Sequence, residues 1–417
     1  MKKLILLLLL ISISLTIASC EAKDKTTDTE PPPPGQTQEP TPVAPPEQNR
    51  PDDPGEPFEG KIVIITPSPS VDFNYRNAQP VVAKYGSEKI VHKSWSWGFL
   101  DSEVRDQFAE EIGEDNEVRA VVVNPFWVDS PSALEKILEK MEDMFIVYCL
   151  GMYWSNHEQL HDLAQTADMI IILDTDGMGP AMAQQAHKMG AETFVHYTMS
   201  WSMDLDEVAR RDLIERECDA LGIVFVEVVL PDYLRLVEAV HTSNFFREDV
   251  PRVVEEYGLD TALYSPDYPV EMIAYDLGAI IPQPYGLLFS PLNVWLRSIS
   301  NRAVDTFLWE DEDFGEMDLR AKVAIESTRE ALAERGMLGR VSNWPIPYHF
   351  MNTYAATEYA IKWINGEVSR ERIDVGVLKQ LMEDYAGVEV FLNPYIDPDS
   401  VKMFENILLM RMDYITY

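Results

Sequence analysis

The octapeptide WSNHEQLH, residues 154–161, has a histidine and glutamate spacing that could perform metal-assisted hydrolysis. His157, Glu158 and His161 follow the HExxH pattern, in which two histidines bind zinc and the glutamate activates water. A catalytic zinc also needs a third protein ligand. Downstream candidates for that ligand are His187, Glu192 and His196. A buried strand predicted at 169–173 separates them from the octapeptide, and no partner motif is evident.

The periodicity of the same segment also argues against zinc chemistry. At 100° per residue, Leu160 and Leu163 lie on the apolar face of the predicted helix. His157 and His161 then lie on the flank of that face, and Glu158 points nearly opposite. A zinc peptidase instead needs both histidines and the glutamate at the floor of a cleft.

The octapeptide has the features of a helix N-terminus as well. Ser155 and Asn156 are good N-cap residues, so His157 and Glu158 would begin a helix just after a strand. The free N–H groups and positive dipole of a helix start attract ligands. We expect His157 and Glu158 to line a ligand site or to order a loop. A purely structural role and a catalytic zinc site are the two alternatives.

The first twenty residues have the pattern of a bacterial lipoprotein signal. Lys2 and Lys3 precede an apolar run, residues 4–17, that is short for a membrane span. Ala18 and Ser19 then precede Cys20, as in a lipobox. We therefore expect cleavage after residue 19 and lipidation of Cys20, which would hold the protein on the extracytoplasmic side of a bacterial membrane.

The segment 20–57 is rich in proline, threonine and glutamate and nearly lacks large apolar residues, so we expect a disordered, extended tether. The remaining residues have the composition of a globular protein. The formal net charge of the chain is -36, which argues against a nucleic-acid partner and against a broad contact with anionic lipid. Cys149 and Cys218 form no CxxC pair, which argues against a disulfide framework.

Strands and helices alternate through the body. Continuous apolar runs predict buried parallel strands, and helical patterns between them supply the crossovers. The first set of strands is predicted at 61–66, 89–95, 119–125, 144–151 and 169–176, and the second at 193–199, 223–230, 261–267 and 279–284. Helices are predicted in the final region at 316–335, 349–365, 374–385 and 400–410.

This order predicts an α/β fold of two doubly wound lobes with a helical C-terminal region. The expected organisation is a signal peptide at 1–19, the tether at 20–57, a first lobe at 58–190, a second lobe at 191–315, and a helical tail at 316–417 that packs mainly on the first lobe.

Ligands of open α/β sheets bind beyond the carboxyl ends of the strands. The loops at these ends are rich in aromatic and polar residues, and ligand stacking is an alternative there to simple packing of the loops. Besides His157 and Glu158, the candidate ligand-binding residues are Ser68, Asn74, Asn124, Phe126, Trp127, Tyr153, Trp154, Asp174, Asp176, His196, Tyr197, Trp201, Asp232, Tyr233, Ser265, Asp267 and Tyr268.

Several of these residues have an alternative role. Asp174 and Asp176 could bind a hydroxyl or an amine, or could cap the helix that follows. A single histidine such as His196 is more often a core residue with its hydrogen bonds satisfied. An aspartate beside a tyrosine, as at 232–233 and 267–268, suits polyols, sugars, nucleosides or cations, but is also common in turns.

Four segments of the body resemble a family of bacterial lipoproteins of unknown function, which is similar to type I periplasmic solute-binding proteins. They begin with KIVIITPSPS, VRAVVVNP, KMGAETFVHY and VPRVVEEYGL, and the most specific is GAETFVHY…ARRDLIERECDALGI. The resemblance implies two lobes that close on a small ligand, and an acid at the position of Glu158. Relatives continue FVHY through an Arg-His pair, whereas this chain reads Thr198-Met199-Ser200-Trp201, so an anionic ligand is not implied.

We therefore expect a lipid-anchored, extracytoplasmic solute-binding protein that needs no cofactor or metal and is not an enzyme. Its partners would be a small polar or aromatic molecule, the membrane through Cys20, and an importer of the ATP-binding cassette type or a membrane sensor. The alternatives are a zinc hydrolase, and a surface protein of the same fold that contacts another protein.

Overall fold

The computed structural model describes residues 57–67, 75–95, 109–124, 143–150, 157–198, 205–231, 239–265, 279–282, 317–398 and 400–417. Its helices include α1 (Gln79–Tyr85), α2 (His157–Thr166), α3 (Thr175–Lys188), α4 (Leu205–Leu221), α5 (Ala239–Tyr257), α6 (Met317–Glu334), α7 (Tyr348–Ile364) and α8 (Val375–Ala386). Among these described residues, no helix is long and apolar enough to cross a membrane.

The first sheet contains β1 (Lys61–Pro67), β2 (Ile90–Trp95), β3 (Val118–Val123), β4 (Phe145–Leu150), β5 (Met169–Leu173), β11 (Val390–Ile396) and β12 (Met403–Met412). The order of these seven strands in the sheet is β11-β12-β5-β4-β3-β1-β2. All neighbours are parallel except β11, which is antiparallel to β12. The central strands are buried along their whole length, which explains why their sequences are continuous apolar runs.

Helices cover both faces of this sheet. Helices α1, α7 and α8 pack on the face that carries Ile62, Val122 and Cys149. Helix α2 packs on the opposite face through Leu160 and Leu163, as its periodicity predicted. Each strand therefore contributes alternate side chains to two separate cores.

The second lobe is built around the strands β6 (Thr193–Thr198), β7 (Val224–Val229), β8 (Thr261–Tyr264), β9 (Ile281–Pro282), β10 (Val341–Asn343) and β13 (Ile415–Thr416). They form two three-stranded sheets, β7-β6-β8 and β13-β10-β9, which a parallel bridge between Ala262 and Ile280 connects. Helices α3 and α4 pack on one face, and α5 and α6 on the other.

Among the elements that the structure describes, the chain crosses between the two lobes three times. It leaves β5 through α3 to reach β6, returns from β10 to α7, and crosses again from β12 to β13. Two doubly wound α/β lobes are thus confirmed. Helix α3 contacts both lobes, because Met178 joins the core of the first and Met182 joins that of the second.

The predicted helix at 400–410 is wrong. Residues Met403–Met412 form strand β12, which pairs in parallel with β5 and completes the first sheet. Met403, Phe404, Ile407 and Leu408 do follow a helical spacing, which explains the prediction. Pairing with a buried neighbour strand outweighs that local preference. The other predicted C-terminal helices correspond to α6, α7 and α8.

Candidate functional site

The carboxyl end of strand β3 carries a buried polar cluster. Asn124 follows β3 directly and is 1% exposed. Its Nδ2 donates to Oγ1 of Thr353 on α7 at 2.7 Å. The neighbouring Asn352 is also 1% exposed, and its carbonyl oxygen accepts from Cys149 Sγ on β4 at 3.6 Å. Helix α7 thereby places a second asparagine at the same edge of the sheet.

Both asparagines keep one amide atom without a hydrogen bond. Oδ1 of Asn124 and Oδ1 of Asn352 have no partner among the described residues. In the second lobe, the same holds for Nδ2 of Asn343, the last residue of β10, and for Oγ of Ser265, which follows β8. Buried polar atoms are nearly always hydrogen-bonded. These four atoms lie at or beside the carboxyl ends of strands in the two lobes.

Asp174 lies where the chain leaves the first lobe. Its backbone N–H donates to Met410 O, and its Oδ1 accepts from Gly177 N at 2.9 Å, so it caps α3. Its Oδ2 lies 3.6 Å from Nε of Arg411, whose guanidinium stacks on the ring of Phe391. Asp174 thus performs the capping role that its sequence position suggested, and it pairs with a cation as well.

Asp176 lies in the first turn of α3 and is exposed. The surrounding protein nevertheless raises the pKa of its carboxyl by removing hydration, and Asp174 raises it further, whereas Arg210 lowers it. Arg210 is 4% exposed on α4, which approaches α3 at Gly179 so closely that a Cβ there would lie 2.9 Å from Arg210 O.

His196 belongs to a polar chain inside the second lobe. Its Nδ1 lies 3.0 Å from Thr198 Oγ1, which donates to Glu227 Oε1 at 2.9 Å, and Arg211 donates to the same carboxylate oxygen. Because the threonine hydroxyl donates to Glu227, Nδ1 of His196 carries the proton that Thr198 accepts. Burial, followed by the nearby Arg210, lowers the pKa of His196 to about 3, so the ring is neutral.

Tyr197 points to the opposite face of β6. Its hydroxyl donates to Asp249 Oδ2 at 3.1 Å, and its ring packs edge-on against Phe246 of α5. Burial raises the pKa of its hydroxyl. Tyr197 thus has partners within its own lobe, and ligand binding by Tyr197 and His196 stays a prediction.

The second histidine of the HEQLH segment contacts the hairpin of β11 and β12. His161 Nε2 lies 2.6 Å from Asp397 Oδ2, and its ring stacks on Phe404. The same hairpin holds the end of α2, because Asn406 Nδ2 donates to the carbonyls of Ala164 and Ala167. Among the described residues, no group of three histidine, cysteine or acidic side chains is placed to hold a metal ion.

Many predicted site residues cannot be compared with the structure. The side chains of His157 and Glu158 lie outside the described part, although their backbone begins α2 as predicted. The predicted lipidation site Cys20 lies outside it too, as do Ser68, Asn74, Phe126, Trp127, Tyr153, Trp154, Trp201, Asp232, Tyr233, Asp267 and Tyr268.

Sequence reasoning missed Asn343, Asn352, Arg210 and Arg411. Asn343 ends a three-residue strand, and Asn352 lies within a predicted helix far from the first sheet in sequence. Neither follows a long apolar run, which was the signal that identified Asn124 and Asp174. The sequence does show two adjacent arginines at 210–211 in an acidic chain. The direction in which their side chains point depends on how α4 packs, which the sequence does not show.

Comparison with known families agrees with this architecture. A family with the description "Protein of unknown function (DUF3798)" matches residues 60–276, slightly more than half of the chain. The chain belongs to the DUF3798 family. An uncharacterized protein of Treponema pallidum (strain Nichols) is 25% identical over 154 residues, which are 37% of this chain and 69% of that protein. The predicted membership of a family of unknown function is confirmed.

The DUF3798 chain also resembles solved structures. A candidate transcriptional regulator from Clostridium difficile 630 superimposes with a TM-score of 0.68 at 19% identity, over 87% of this chain and 100% of that one. This likeness shows the fold. A periplasmic ribose ABC transporter protein from Conexibacter woesei DSM 14684 matches at a TM-score of 0.41 and 12% identity, over 76% and 90% of the two chains. At that TM-score it adds nothing about ligands.

Proposed function

We propose that this DUF3798 protein is an extracytoplasmic solute-binding protein that closes its two lobes on a small polar or aromatic molecule, such as a sugar or a nucleoside. The observation that carries the proposal is the set of buried, unpartnered amide and hydroxyl atoms at the carboxyl ends of strands in both lobes. Each such atom costs stability in the empty protein, and a ligand that supplies the missing hydrogen bonds removes that cost.

The three crossings between the lobes support hinge closure as the mechanism. Asn124 and Asn352 would bind one side of the ligand, and Asn343 and Ser265 the other. Asp176 would bind a hydroxyl or amine of the ligand, because its carboxylate is reached by solvent although its surroundings disfavour the charge. Stacking would come from the tryptophans and tyrosines of the loops predicted at the same strand ends.

The lipobox at Ala18-Ser19-Cys20 supports a lipid anchor on the protein, and therefore uptake through an importer of the ATP-binding cassette type or signalling through a membrane sensor. Enzymatic activity is not part of the proposal. His161, the second histidine of HEQLH, already pairs with Asp397 within the first lobe.

Native mass spectrometry of the full chain, purified in mild detergent without refolding or chelator, tests the function. We expect an additional organic mass that is lost on partial unfolding, and the mass identifies the ligand class. One zinc per chain that chelator removes, and that a His157→Ala variant does not retain, would instead establish the hydrolase alternative. No retained mass, together with no thermal stabilisation by a library of sugars and nucleosides, would favour a surface protein that contacts another protein.

A further inference from the structure

The turn between β11 and β12 exposes an unusual amount of apolar surface. Residues 396–403, which we call the hairpin tip, include Ile396, Val401 and Met403, which are 54%, 76% and 52% exposed. Residue 399 lies outside the described part. Clustered exposed apolar side chains often mark a contact with another molecule.

Hydrogen bonds also order the described residues of the hairpin tip. Asp397 organises the turn, because its Oδ1 accepts from Ser400 N, its carbonyl accepts from Val401 N, and its N–H donates to the carbonyl of Lys402. Its second carboxylate oxygen is held by His161 of α2. The apolar side chains are therefore presented on a rigid support.

Val401 has an unfavourable backbone conformation in this turn. Its φ of 56° lies in the left-handed region, and it is the one described residue other than glycine with a positive φ. A β-branched side chain is especially unfavourable there, whereas glycine or asparagine would fit. Strain at the most exposed apolar side chain of the tip indicates that the valine is present for what it contacts.

The position of the hairpin tip in the first lobe indicates which surface it contacts. Strand β12 runs parallel to β5, so the tip precedes the amino end of the first sheet and packs over α2. The chain from the predicted anchor enters at that same end, where Lys61 begins β1 and Pro57 O accepts from Nδ2 of Asn365, just after α7. The unpartnered amides of the first lobe lie at the opposite, carboxyl end.

We propose that the hairpin tip inserts into the outer part of the lipid bilayer that holds Cys20, and so turns the carboxyl ends of the first-lobe strands away from the membrane. This rests on the lipid anchor of the proposed function. The tether that the sequence predicts at 20–57 would span about 3.1 Å per residue if it is extended. It would then let the body reach the surface and keep its local concentration high, so that a small apolar contact would suffice.

Charge limits the contact to the tip. The net charge of -36 repels the rest of the body from anionic lipid. Lys402, whose Nζ lies 4.5 Å from the centre of the Phe404 ring, is placed to reach lipid phosphates while the apolar side chains enter the bilayer.

A nitroxide spin label attached at Met403→Cys tests the proposal in the full lipidated chain. Cys149 and Cys218 are buried, and burial raises the pKa of both thiols, so the introduced thiol reacts selectively. Val224→Cys on β7 of the second lobe is the matched control, because Val224 is 56% exposed. Each chain is reconstituted into vesicles of phosphatidylethanolamine and phosphatidylcholine, and collisions with oxygen and with a water-soluble nickel complex are compared.

On reconstitution, we expect the spin label at 403 to collide several-fold more often with oxygen and less often with the nickel complex. We expect neither collision rate to change for the label at 224. Val401→Gly should reduce the effect at 403, because the turn is kept and the side chain removed. A label at 403 that remains in water on a chain whose mass confirms the lipid overturns the inference and leaves the anchor intact. A mass without lipid overturns the anchor, and with it the inference.

Discussion

His161 and Asp397 join the helix that carries the HEQLH segment to the hairpin of β11 and β12, with 2.6 Å between Nε2 and Oδ2. Asp397 is 2% exposed; its Oδ1 accepts from Ser400 N, and its Oδ2 faces His161. This contact gives the second histidine of the HExxH pattern a role within the lobe that involves no metal.

Replacing His161 by alanine should therefore lower the free energy of unfolding by about 1–3 kcal/mol, because the buried carboxylate of Asp397 loses a partner. Urea denaturation measures the change. His187→Ala, at an exposed position of α3, is the matched control and should lie within about 0.5 kcal/mol of the unaltered chain. Equal effects of the two substitutions would show that the contact does not stabilise the lobe.

The two amides at residues 352 and 406 should respond in opposite ways to the same substitution. Asn352 has an unpartnered Oδ1, whereas Asn406 Nδ2 donates to two carbonyls at the end of α2. Asn352→Leu should change the stability of the empty protein little or raise it, while Asn406→Leu should lower it by about 1–3 kcal/mol. Thermal unfolding of the ligand-free chain measures both.

In ligand binding, the variant at 352 should be impaired and the variant at 406 should not, which is the reverse of their effects on stability. Asn352→Leu should lose the retained ligand in native mass spectrometry, whereas Asn406→Leu should keep it, since Asn406 lies at the amino end of the first sheet and Asn352 at the carboxyl end. Retention of the ligand by Asn352→Leu would remove Asn352 from the proposed site.

The sequence predicts these features unequally well. The central strands were predictable because full burial on both faces makes each a continuous apolar run, and Asn124 and Asp174 were found because they follow such runs. Strand β12 was not predictable as a strand, because the spacing of its Met, Leu and Phe residues also suits a helix. Its partner β5 also lies far away in the chain. Asn352 was missed for the same reason: only the return of α7 to the first sheet brings it beside Asn124.

The charged carboxylate of Asp176 should lower the stability of the folded protein and increase its affinity for the ligand. Its raised pKa means that the charged form is disfavoured in the folded protein, so the stability it contributes is present below its unfolded pKa and is lost as pH rises through the folded pKa. At neutral pH, Asp176→Asn should therefore raise the free energy of unfolding, and the gain should vanish in acid. Denaturation at pH 7 and pH 3 checks this, and ligand affinity should fall in the same variant if Asp176 binds a hydroxyl or amine.

Two buried histidines, His196 and His349, and the partly buried His92 should make the fold sensitive to mild acid. Burial lowers the pKa of His92 to about 4 and those of His196 and His349 to about 3. Between about pH 6.5 and pH 4 the unfolded chain therefore binds more protons than the folded chain, so stability falls as pH falls.

Each of these histidines should contribute a slope that approaches about 1.4 kcal/mol per pH unit in that window. His92→Gln, which can still hydrogen-bond to Thr66 or Gln79, should remove about one third of the combined slope whatever its effect at neutral pH. Urea denaturation from pH 4.5 to pH 7.5 measures the slope. An unchanged slope in His92→Gln would mean that His92 becomes protonated in the folded protein as readily as in the unfolded chain, which its burial between β1 and α1 opposes.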